Sequence, residues 1–129
     1  MKHNLMLIIA SLLSILLTSF HHADDVVRGM APGRFSNLIP VLFLLVWLYA
    51  TLALAGRRSG YVIVLIASLL ASGLPAIHMT GSGLVGGDVA KSGGAFFFVW
   101  TLIALGVTAL FSAILSAHGL WSLRRGQRR

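Results

Sequence analysis

Four apolar runs without a single charge dominate this sequence and leave few ways to fold it. They are Leu5 to Phe20, Leu38 to Ala55, Tyr61 to His78 and Ala95 to Leu123, and no Asp, Glu, Lys or Arg interrupts any of them. A bilayer core takes about 20 apolar residues per helix. Backbone in lipid must satisfy its own hydrogen bonds, so each run predicts an α-helix. Barrel strands would be shorter and would alternate polar with apolar side chains, which these runs do not. The expectation is an all-α integral membrane protein, a single domain over residues 1–129 with four transmembrane helices in an antiparallel up-down-up-down bundle. The predicted helices are 5–25, 37–56, 60–79 and 95–123, joined by outer loops 26–36 and 80–94 and a cytoplasmic turn at 56–60.

Composition supports the same class. Of 129 residues, 57% are hydrophobic and 10% charged, with a mean hydropathy of +0.92. A soluble domain of this size needs more charge to cover its surface. There is no cysteine, which excludes disulfides and thiolate metal sites.

The net charge of +7 invites a nucleic-acid reading, and its placement argues against one. Lys2, Arg57, Arg58, Arg124, Arg125, Arg128 and Arg129 flank the apolar runs instead of spreading over a polar face. The segments carrying them hold no acid. The other two connections balance Arg28, Arg34 and Lys91 with Asp24, Asp25 and Asp88. By the positive-inside rule, both chain ends and the Arg57–Arg58 turn are expected in the cytoplasm of a multi-pass inner-membrane protein. In a Gram-negative cell the remaining loops would face the periplasm. The first run reads as a retained span, because cleavage after Ala23 would leave His21 where a small residue is wanted.

Local signals refine the picture. Gly56 and Gly60 bracket a tight turn, and Ser36 or Asn37 can cap the second helix ahead of Pro40. Pro75 should kink or end the third helix. The stretch Gly81 to Gly94, with its run of glycines, reads as an irregular loop. Small and hydroxyl residues mark helix contacts in lipid. Ser11, Ser14 and Thr18 continue to His21 and Asp25 on one stripe; Ser68, Ala71, Pro75 and His78 form another. Thr108, Ser112 and Ser116 form a third. Tyr61, Trp121 and Phe96 to Phe98 suit interfacial belts, and the deeper Trp47 and Trp100 suit interior packing.

The chemistry-bearing residues gather at one place. His21, His22, Asp24 and Asp25 close the first run, and His78 closes the third at the same depth. Imidazole and carboxylate are the usual ligands of zinc, iron and manganese. A divalent metal is one reading, and a haem held by His78 opposite His21 or His22 is its sub-case. The plainer reading is a polar cap, since Asp24 and Asp25 also stand at ion-pair spacing from Arg28. His118 lies near the other end, too distant to join.

Other patterns fail. Gly86 to Ser92 lacks the glycine that a phosphate-binding loop places before its lysine, and no strand precedes it. Small multidrug exporters depend on an embedded glutamate, and this chain has no glutamate. No serine is placed as a nucleophile, and no catalytic residue is identified.

The segments Thr18-Ser19-Phe20-His21-His22-Ala23-Asp24-Asp25-Val26-Val27-Arg28-Gly29, Ala95-Phe96-Phe97-Phe98-Val99-Trp100-Thr101 and Gly119-Leu120-Trp121-Ser122-Leu123-Arg124-Arg125 resemble small hypothetical four-span membrane proteins of bacterial genomes. The resemblance covers most of the chain. It implies an inner-membrane protein and supplies no activity.

Three function classes follow. The first expectation is a non-enzymatic interaction or accessory subunit, whose partners are the bilayer and either a larger membrane complex or further copies of itself, without nucleic acid. The alternatives are a metal- or haem-binding protein or enzyme using the His/Asp cluster, and a small-molecule or ion transporter. The transporter is weakened by the lack of a charged side chain at mid-membrane depth.

Overall fold

The computed structural model describes residues 2–30, 35–80 and 93–126, with backbone alone for 79 and 80. It is all-α: α1 Lys2–Val27, α2 Leu38–Leu52, α3 Arg58–Thr80 and α4 Ala95–Arg124, with no strand among the described residues. Most of the glycine-rich loop, the middle of the 26–36 connection, and Arg128 and Arg129 lie outside the described residues.

Helices α1, α3 and α4 are long and apolar enough to cross a membrane. Helix α2 is shorter than the sequence suggests, at 15 residues. At about 1.5 Å per residue that is roughly 22 Å, against the roughly 30 Å of a hydrocarbon core. The difference arises at its end. Ala53, Leu54 and Ala55 are apolar and extend the hydropathy run, but they belong to a turn that closes through Gly56 at φ +78°. The left-handed backbone there suits glycine.

The start of α2 also departs from expectation. Asn37 makes no side-chain cap. Backbone carbonyls of the preceding turn serve instead, Phe35 accepting from the Leu38 N–H at 3.1 Å and Ser36 from the Ile39 N–H at 3.2 Å. Pro75 does not end α3, which runs on to Thr80. Its ring packs into α4 at Gly106, where an added Cβ would stand 2.8 Å from the proline Cγ. Nearer the other end, Gly119 makes room for Tyr61, whose ring a Cβ would strike. These two close approaches fix how α3 lies along α4.

Helices placed in lipid would have no hydrophobic reason to associate, so packing and cross-helix hydrogen bonds would have to hold them. The core is accordingly built from small residues. Ala10, Ala67, Ala71, Ala109 and Ala113 are buried, and so are Ser11, Ser14, Thr18, Ser68, Ser112 and Ser116. Thr51 donates to the Trp47 carbonyl at 2.9 Å, which leaves its oxygen to accept from Ser11 at 2.7 Å. Ser68 donates to Ser112 at 2.9 Å. Ser14 and Thr18 bond back to their own helix, at Ala10 and Ser14. Thr108 stands apart from its stripe. It is half-buried at the edge of the interface and bonds the Ala104 carbonyl of its own helix, while Leu105 and Ala109 take the centre. Trp47 is fully buried beside Phe43, whereas Trp100 is exposed and stacks on Phe96.

Candidate metal centre

Helix α1 continues unbroken past Phe20, so His21 and Asp25 remain one turn apart on the inward face. His21 Nε2 lies 3.6 Å from Asp25 Oδ2. His78, near the end of α3, brings its Nε2 to 3.8 Å from the same oxygen. One ligand atom from each of the three lies within 4.8 Å of the others. Exposure falls inward, from 23% at His78 and 18% at Asp25 to 3% at His21.

None of these separations is a hydrogen bond, which would need about 3.2 Å or less. The polar atoms are nevertheless buried. His21 Nδ1 and Nε2 and Asp25 Oδ1 have no hydrogen-bond partner. Buried polar groups left this way cost roughly 1–3 kcal/mol each, a cost that Trp47 Nε1 and Ser116 Oγ also bear and that a cation or water would relieve here.

The tautomer of His78 sharpens the point. Its Nδ1 is 2.9 Å from the Leu74 carbonyl, an oxygen that only accepts, so Nδ1 carries the proton. In the neutral ring, Nε2 then presents a lone pair to the Asp25 carboxylate. Two acceptors facing each other repel unless a cation lies between them or a second proton sits on the ring. Metal-binding histidines usually donate their other N–H to a carbonyl or carboxylate in this way.

The other two members of the sequence cluster point elsewhere. Asp24 accepts from Arg28 Nε at 2.7 Å, the i,i+4 pair anticipated for a polar cap. His22 Nε2 reaches the Asn37 carbonyl at 3.3 Å, tying α1 to the start of α2. A haem between His21 and His78 does not fit this arrangement. The His21 and His78 rings meet edge-on at 4.7 Å between centroids, leaving no slot for a porphyrin.

Phe98 and the Leu74 carbonyl were not placed here from sequence, and Arg28 was read there only as an ion-pair partner. Phe98, assigned there to an interfacial belt, is 1% exposed and walls the cluster, 5.2 Å from the His21 ring and 5.7 Å from the His78 ring. Its signal was present: Phe98, Leu102, Leu105, Ala109, Ser112 and Ser116 continue one stripe of α4. Arg28 lies over the Phe98 ring at 5.6 Å, and the Leu74 carbonyl orients His78. A groove of ≈ 410 Å³ opens beside the cluster between α1, α2 and α3, polar at Thr18, His22 and Asp25 and apolar at Ile39, Phe43 and Leu74.

The hydroxyl stripes do not converge on this centre, apart from Thr18 beside the groove. His118 lies at the far end, exposed, its ring 4.9 Å from that of His3, whose Nε2 meets the Leu115 carbonyl at 3.0 Å. No family model, no curated protein and no solved structure matches the chain.

Proposed function

We propose that this chain is a polytopic inner-membrane protein that binds one divalent transition metal at its outer face through His21, Asp25 and His78. All four helices cross in an antiparallel up-down-up-down bundle with both ends cytoplasmic, the turns flanking α2 completing its passage. The order of cross-helix contacts supports this path. Ser11 meets Thr51 while His22 meets Asn37; Pro75 meets Gly106 while Tyr61 meets Gly119. The basic residues flanking the helices support the orientation.

One observation carries the metal reading: a half-buried carboxylate and two imidazoles, too far apart to bond one another, converge with the His78 N–H already committed to Leu74. Two imidazoles and one carboxylate suit zinc, iron(II) or manganese and leave coordination positions open. Three ligands at about 2.1 Å from zinc would stand roughly 3.4 Å apart, so the 3.6 and 3.8 Å separations from Asp25 need a small contraction, and the ligand atoms, now within 4.8 Å of one another, would have to draw together around the ion.

The test is metal content. Full-length protein purified in detergent, loaded with Zn(II) and desalted, should retain one zinc per chain by elemental analysis. His21→Ala and His78→Ala should each lose it, and His22→Ala should keep it. Wild-type protein without stoichiometric metal would leave an imidazolium–carboxylate contact as the explanation of the cluster.

An interaction role is a second reading, favoured by α2. Only Trp47, Ala50 and Thr51 of that helix are buried, and its outer side presents Leu42, Leu45, Val46 and Tyr49. Co-purification of a larger membrane complex under mild detergent, lost on substituting that face, would support it.

A further inference from the structure

The end of the bundle opposite the His/Asp cluster carries a shaped surface of its own. Arg58 opens α3 and Arg124 closes α4. The Tyr61–Gly119 contact holds these two helix ends side by side. Both arginines line one hollow of ≈ 340 Å³, with Val62, Leu120 and Leu123 between them. A second hollow of ≈ 490 Å³ adjoins it through Leu120 and Arg124, floored by Leu65, Ala117 and Trp121. Arg125 sits over the Trp121 ring at 4.6 Å, a cation–π contact that keeps its charge on the rim.

The surface is therefore a groove with guanidinium groups at its head and aliphatic walls along its length. Guanidinium is the side chain best matched to a phosphate oxyanion, and the three come from the start of α3 and from the end of α4 with its cap residue. The chain offers them little of its own to neutralise. Among the described residues the acids are Asp24 and Asp25, both at the opposite end. An anion with an apolar body satisfies head and walls together, and a free phosphate would use the head alone.

We propose that this groove binds one anionic phospholipid, with Arg58 and Arg124 clamping the phosphate and an acyl chain lying along Leu65, Ala117 and Leu120. The proposal rests on the bundle lying in a bilayer and is independent of the metal centre. Arg57, one residue earlier, lines neither hollow, so it separates a built site from a general attraction of basic residues to an acidic membrane.

The experiment places the full chain in phosphatidylcholine nanodiscs doped with phosphatidylglycerol and reads retained lipid by native mass spectrometry. One phosphatidylglycerol should stay bound in preference to phosphatidylcholine. Arg58→Gln and Arg124→Gln should each weaken retention about fivefold, and Arg57→Gln by less than about twofold, since it acts only through a screened field. Ala117→Trp, which fills the apolar floor and leaves every charge, should also release the lipid. Soluble glycerol phosphate should not compete. Equal retention of both lipids would overturn the proposal. So would an Arg57→Gln effect as large as that of Arg58→Gln, or displacement by glycerol phosphate, which would indicate a free-phosphate site.

Discussion

The middle of the bundle and its His/Asp end bury polar groups to a similar depth and surround them differently. Ser11, Ser68 and Ser112 are fully buried, and each has a partner across a helix interface. His21 is almost as deeply buried, and neither ring nitrogen has a hydrogen-bond partner. Depth is shared, so it cannot be what separates structure from function here. Lack of a partner alone does not separate them either, since Ser116 Oγ and Trp47 Nε1 are also unpartnered in the packing core; the difference is that the unpaired imidazoles stand beside a carboxylate and form a site that a cation would complete.

The largest expected effect tests the end of the bundle. His21→Ala should lower zinc affinity by more than about 100-fold, beyond what removing a supporting group costs, as read by competition with a chromophoric chelator. An unchanged affinity would erase the contrast, leaving two packing regions. Next comes Gly119→Leu, which forces a side chain into the Tyr61 ring. It should destabilise the fold by about 1–3 kcal/mol in detergent denaturation, with metal stoichiometry in the surviving folded fraction unchanged.

Smaller effects sharpen the other side of the comparison. Phe98→Leu should loosen both imidazole rings and weaken zinc by about tenfold, while Trp100→Leu, on the exposed side of the same helix, should leave zinc affinity unchanged. Ser68→Ala should cost only about 0.6 kcal/mol, the usual worth of a hydrogen bond between membrane helices. Circular dichroism during unfolding would measure it. A loss above about 2 kcal/mol would mark that serine as more than packing.

Different parts of this arrangement were legible to different degrees. Uninterrupted hydropathy gives four helices, because charge is so costly in lipid that its absence is informative. It misjudges where α2 stops, because Ala53, Leu54 and Ala55 are apolar in a turn as in a helix. His21 and Asp25 can be paired on paper, since four residues make one helical turn. That His22 and Asp24 turn away from them could not be read so directly. It depends on helix rotation, to which contacts as remote as Pro75 against Gly106 contribute. Phe98 was hidden by its neighbours: Phe96 and Phe97 are exposed and aromatic, and only the phase of the α4 stripe separates the third from them.

If the bundle spans a bilayer as proposed, the short α2 has a consequence for the surrounding lipid. Its neighbours run to 26, 23 and 30 residues, so a bilayer matched to them is too thick beside it. Hydrophobic mismatch of this kind is relieved by local thinning of the leaflet, at a fraction of a kcal/mol per Å. His22 is tied to the foot of α2, so a dimple there would draw headgroups and water toward the mouth of the groove beside Asp25. Access to that carboxylate would then vary with membrane thickness, and thin bilayers would open it most.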